Sequence, residues 1–198
     1  MLRLIKEHYR NKALKEAMAV RKAKNLNNPV FLNLGNVKSI GFICCAETVD
    51  EIDEVNQITE EISKTGIKFS GLLVEGATLF KDDPLREEFV QQCSQENIVF
   101  VPKSQFNWIG ELAWQENADA GAEINEFFSN HYDLFINLNR NSNFSVDYLT
   151  LRADADFIVG MHNNPKMPFS LVLECNKEGF SYSRFLSGLF AFLEKVNL

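Results

Sequence analysis

The chain lacks most of the short motifs that announce a reaction. No Gly-x-Gly-x-x-Gly follows an apolar run, and no Gly-x-x-x-x-Gly-Lys-Ser/Thr occurs. Both motifs exist to bring glycine backbone against phosphate oxygens, so a dinucleotide oxidoreductase and a P-loop ATPase are disfavoured. His-Glu-x-x-His and Gly-x-Ser-x-Gly are missing too, which argues against a zinc peptidase and a serine hydrolase. Cysteine is scarce: Cys44, Cys45, Cys93 and Cys175 form no Cys-x-x-Cys and no zinc-spaced set. We therefore expect free thiols, no metal and no cofactor. Cys44 and Cys45 are adjacent on a strand, where neighbouring side chains point to opposite faces, so a ring disulfide between them would distort the backbone.

Long apolar runs are absent as well. No stretch of about 18 apolar residues exists, so no membrane-spanning helix is expected. The opening residues, MLRLIKEHYRNK, are charged throughout and carry no apolar signal core. The expectation is a cytoplasmic protein.

What the chain does have is apolar bulk and uneven charge. It holds 198 residues, 45% of them hydrophobic, with 17 phenylalanines against two tryptophans. That suffices for one α/β domain over residues 1–198 with a core that needs no covalent staple. Residues 1–26 carry eight Lys/Arg and two Asp/Glu, while the remainder carries 12 and 25. An acidic body repels nucleic acid. The basic segment, residues 1–28, reads as a helix packed on that body or projecting from it. Leu4, Ala13, Leu14, Ala17, Met18 and Val20 supply its apolar face.

Short apolar runs then alternate with helical stretches. Strands are expected at Ser39–Cys45, Lys68–Glu75, Asn97–Val101, Tyr132–Leu138, Asp156–Gly160 and Pro168–Glu174. This pattern predicts a three-layer Rossmann-like, mostly parallel sheet of five to six strands with helices on both faces. The order 3-2-1-4-5 with the sixth strand at an edge is favoured, because Pro168 suits an edge. Thr48 and Glu51 have capping-box spacing for the helix after the first strand. The last helix should bury Phe185, Leu189, Phe192 and Val196.

In open α/β sheets, ligands bind beyond the carboxyl ends of the strands where the order reverses. Here that point lies between strands one and four. It gathers Cys45, Glu47 and Thr48 with the loop Asn139, Arg140, Asn141, Ser142 and Asn143. Arg140 offers a planar fork for phosphate or carboxylate. It is the only Lys or Arg between Lys103 and Arg152. His162, after strand five, could serve there as acid or base. An anion is expected beside Arg140, near the helix start at Ser145.

Two resemblances attach to these residues. The basic leading helix, SIGFICC, NWIGELAW and YDLFINLNRNSNFSVDYLTLRADADFIVG resemble an uncharacterised Bacteroidetes-type family of small bacterial α/β proteins, which implies a fold and no activity. Tyr132–Gly160 is also similar to the N-terminal half of heptosyltransferase-type glycosyltransferases. Those enzymes carry Asp where this chain has Asn137, and they use a second α/β domain to hold the sugar nucleotide. The leading expectation is a non-enzymatic ligand-binding or protein-interaction domain of a bacterial cytoplasm. The alternative is a small enzyme or binder acting on a phosphorylated or nucleotide-like ligand at the crevice. Its binding residues would be Thr48, Asn139, Arg140, Asn141, Ser142 and His162. The partners expected are a small anion, and a protein or a second copy of the chain.

Overall fold

The computed structural model describes residues 2–23, 32–46, 51–76, 86–95, 97–106, 119–174 and 180–196. Six strands, β1 (Ser39–Ala46), β2 (Lys68–Glu75), β3 (Ile98–Val101), β4 (His131–Asn137), β5 (Asp154–Gly160) and β6 (Leu171–Val172), form one sheet of order β3-β2-β1-β4-β5-β6. Every pairing is parallel. All six carboxyl ends therefore lie along one edge of the sheet. The order is the expected one, and β6 is shorter than Pro168–Glu174.

Burial explains why β1 and β4 are central. Ile40, Phe42, Cys44 and Ala46 face one side of β1, where they pack with Leu134, Ile136, Phe157 and Val159. That layer is covered by α2 (Glu51–Ser63), α3 (Arg86–Gln95) and α6 (Tyr182–Lys195) through Ile58, Ile62, Phe89, Leu186 and Leu189. Ile43, Phe135 and Ile158 face the other side, against α4 (Asp119–Ser129) and α5 (Phe144–Arg152) through Ile124, Phe127, Val146 and Leu149. Each such fully buried side chain contributes about 1.5–3 kcal/mol relative to exposure. On the last helix Phe192 is exposed, and Leu186, Phe190 and Leu193 are buried in its stead.

Two features set the spacing within the sheet. Gly41 pairs with Phe135 and Gly71 with Phe42, so each ring lies across a strand position that has no side chain. Gly66, at φ 70°, occupies the left-handed conformation that ends α2, and its N–H donates to the Ser63 carbonyl.

The basic helix α1 (Leu2–Ala23) packs outside α5. Leu14 joins Leu151 and Met167 in a small satellite cluster, with Ala17 and Met18 against it. Leu4 and Val20 are exposed, so the apolar face is narrower than its sequence suggested. Arg21 supplies the rest of the attachment. It is buried, and its guanidinium donates to the carbonyls of Ala153 at 2.8 Å and Ala155 at 2.7 Å. Among the described residues, no helix is long and apolar enough to cross a membrane.

Candidate functional site

Beyond the ends of β1 and β4 the chain continues the sheet with a side chain. The Leu138 N–H still donates to the Ile43 carbonyl, but the Cys45 N–H donates to Asn139 Oδ1 at 3.0 Å. Asn139 is thus buried and works as a clamp between the two loops. Arg140, the next residue, is exposed. Its guanidinium lies 5.1 Å from the Phe180 ring centre and 6.0 Å from that of Tyr182. The Tyr182 hydroxyl donates to the Leu138 carbonyl at 3.1 Å, which fixes the start of α6 against the loop. These groups surround a cavity of about 210 Å³ lined by Cys45, Asn139, Arg140, Asn141, Ser142, Asn143 and Tyr182. Among the described residues Arg140 has no ion-pair partner.

A buried polar network lies behind this loop, centred on Asp147 of α5. The Asp147 carboxylate is 1% exposed. Its Oδ2 accepts from Ser142 Oγ at 3.0 Å and Asn164 Nδ2 at 2.9 Å, and its Oδ1 from Asn137 Nδ2 at 3.5 Å. Asn137 also donates to Thr150 Oγ1 and accepts from the Asn139 N–H. A carboxylate this deep survives because nearly every lone pair is met by a donor.

His162 closes the network. Its Nδ1 is 2.9 Å from the Asn139 carbonyl, which can only accept, so Nδ1 carries a proton. Its Nε2 is buried and faces Asp147 Oδ1 at 3.6 Å, too long for a hydrogen bond but close enough for strong charge attraction. The Asp147 carboxylate raises the His162 pKa above its ordinary value; burial opposes this, and the bond to the Asn139 carbonyl adds to it.

The geometry gathers Asn139, Arg140, Asn141 and Ser142 at one cavity. His162 stands behind it, among structural partners. Thr48 and Glu47 lie outside the described residues. The start of α5 is occupied: Asn143 Oδ1 accepts from the N–H groups of Ser145 and Val146 at 3.0 and 3.4 Å. With Asp147 also in that first turn, an anion beside Ser145 meets engaged donors and a negative charge, contrary to the expectation. The sequence reading missed Asp147, Asn164, Phe180 and Tyr182. Only Asp147 left a signal, as an acid in the first turn of a helix.

The opposite edge of the sheet holds His131, Asp133 and Asp156, whose ligand-type atoms lie within 4.8 Å of one another. Asp133 Oδ2 already accepts from the Lys38 and Ser39 N–H groups and from Ser39 Oγ. His131 makes exposed ion pairs with Asp154 at 3.5 Å and Asp156 at 3.3 Å. These contacts tie the starts of β1, β4 and β5 together. No metal was expected, and this partly exposed trio is the one metal-type grouping among the described residues.

Residues 6–196 match the model of a family of unknown function, DUF6913. No curated protein matches. Among solved structures, a glycosyl transferase family 9 protein from Veillonella parvula DSM 2008 is similar at 16% identity and a TM-score of 0.51. The likeness covers 86% of this chain but only 44% of that one, so this chain spans less than half of the solved protein. At that identity the likeness concerns the fold alone.

Proposed function

We propose that this chain, which belongs to the DUF6913 family of unknown function, is a ligand-binding α/β domain of a bacterial cytoplasm that holds a small anion beyond β1 and β4. The observation that carries this reading is Arg140. It rests over Phe180 and Tyr182 at the rim of a cavity of about 210 Å³, without an acidic partner among the described residues. Aromatic faces hold a guanidinium in place while leaving its N–H edge available, which is the geometry a phosphate or carboxylate requires. Asn141 adds a neutral amide beside the same space; Ser142 and Asn143 also line it, but their side chains are engaged by Asp147 and by Cys45 and the start of α5.

Binding fits this site better than catalysis. A general base must reach the reacting group. Here the candidate, His162, is engaged by the Asn139 carbonyl and the buried Asp147. The parallel fold supplies the crevice, and its likeness to part of a glycosyl transferase lends no substrate to this chain.

A thermal-shift screen with phosphate, sugar phosphates, nucleotides and carboxylates tests the reading. A ligand at about 100 times its Kd adds roughly 2.7 kcal/mol of stability. Arg140→Ala should abolish that shift while leaving the melting temperature of the free protein unchanged. Ligand shifts that survive Arg140→Ala overturn the assignment.

A further inference from the structure

We infer that a second cavity, roofed by the basic start of α1, binds a phosphorylated small molecule. Its volume is about 410 Å³, within the range of small-molecule pockets. The roof presents Arg3, Lys6 and Arg10, and the opposite wall presents Ser142, Asn164 and Lys166. Four cations thus border a space whose lining acids, among the described residues, are Glu7 and Asp147. Asp147 is buried and already engaged by Ser142, Asn164 and Asn137.

The placement of these cations is the argument. In a helix that merely solvates its charges, lysine and arginine lie on the outer face. Arg3, Lys6 and Arg10 instead continue the inward stripe on which Leu14, Ala17 and Arg21 meet the body, since residues three and four apart share a helix face. The first turn of α1 holds no acidic residue to offset Arg3, although the positive end of a helix favours one. Arg10 stacks 4.8 Å from the Phe144 ring centre, and Lys166 Nζ donates to Asn11 Oδ1 at 2.7 Å. Lys6 is half-buried and Arg3 is exposed, and neither has an ion-pair partner among the described residues. Cations on one helix face that border an open cavity are matched by a multiply charged anion, and phosphoryl oxygens accept from several such donors at once. The site is separate from the Arg140 cavity, which it touches only at Ser142.

Pyrophosphate is the probe. Isothermal titration of the full chain at physiological ionic strength should show saturable binding, and sulfate at equal ionic strength should compete weakly. Arg3→Ala/Lys6→Ala should weaken pyrophosphate at least about tenfold, the effect of one lost charge-assisted contact, without lowering the melting temperature of the free protein. Lys166→Ala tests the far wall should the double variant fold poorly, and should also weaken binding. Arg140→Ala should leave pyrophosphate affinity unchanged, so the two sites fail or hold independently. The inference is overturned by absence of saturable binding, or by full affinity in the roof and wall variants. Loss of binding in Arg140→Ala alone, or partition onto phosphatidylglycerol vesicles without binding of free pyrophosphate, also overturns it.

Discussion

His162 Nε2 faces Asp147 Oδ1 across 3.6 Å, with both side chains buried. The pair links the loop after β5 to the first turn of α5, behind the Arg140 cavity. Since the folded protein raises the His162 pKa, folding favours the protonated ring. This contribution is fully present below the ordinary histidine pKa of about 6.5 and is lost as pH rises through the higher folded value. Urea melts of the wild type and His162→Gln from about pH 5 to 9 should therefore converge toward the alkaline end. Parallel curves would show that the pair carries no pH dependence. His131 titrates in both proteins, so its contribution cancels.

Asn137→Asp should be strongly destabilising. The fully buried amide donates to Thr150 and toward Asp147 while accepting from the Asn139 N–H. A carboxylate there removes a donor and sets a second negative charge against Asp147. An uncompensated buried charge costs about 3–5 kcal/mol. Denaturant melts should show a loss of that order at pH 7, partly recovered at low pH as one acid takes a proton.

Arg21→Met should loosen α1. It deletes the two donors to Ala153 and Ala155 while keeping much of the side-chain bulk. Hydrogen bonds from a charged group contribute about 1.5–3 kcal/mol each. Hydrogen exchange should speed up across α1 before the sheet is affected. Unchanged exchange in α1 would mean that Leu14 and its neighbours suffice to hold the helix.

Glu61 joins α2 to α6. It accepts from Lys64 Nζ at 2.6 Å, Ser183 Oγ at 2.6 Å and Ser187 Oγ at 2.9 Å. Lys64 first, then Ser183, lower its pKa to about 2; burial opposes them, and the Ser187 bond adds a smaller lowering. A depressed carboxylate stabilises the fold above its unfolded pKa of about 4.3 and loses that contribution as pH falls toward the folded value. Glu61→Gln should cost about 1 kcal/mol at neutral pH, the usual scale of such bonds, and flatten acid unfolding below about pH 4. An unaltered acid limb in circular dichroism would contradict this.

The sheet was legible in the sequence because its strands are buried on both faces. Runs such as Ser39–Cys45 and Tyr132–Leu138 leave no amphipathic alternative, and right-handed crossovers then restrict the order. The loop Asn139–Ser142 was legible for the same reason, as it follows a central strand. His162 was a candidate from its place after strand five, but its pairing with Asp147 was not legible, because it depends on side-chain burial from elements 15 residues apart, with no periodic spacing to mark it. The inward face of Arg3, Lys6 and Arg10 was also hidden. Charge alone says that a helix is basic, and only the attachment through Leu14 and Arg21 tells which way its cations turn.

That attachment makes α1 a cantilever. Arg21 is fastened where β5 begins, Leu14 rests on Leu151 and Met167, and the turns from Leu2 to Arg10 project over the cavity at the opposite end of the strands. From Leu14 to Arg3 the helix runs roughly 17 Å at 1.5 Å per residue. A tilt of about 5° at the support therefore displaces the tip by ~1.5 Å, about half the length of a hydrogen bond. The spacing between the roof cations and Lys166 thus depends on supports at a distance, Leu14 and Arg21, as well as on the Arg10–Phe144 and Lys166–Asn11 contacts beside it. Substitutions at Leu151, Met167 or Ala153, none of which lines the cavity, should therefore alter its width without touching its walls.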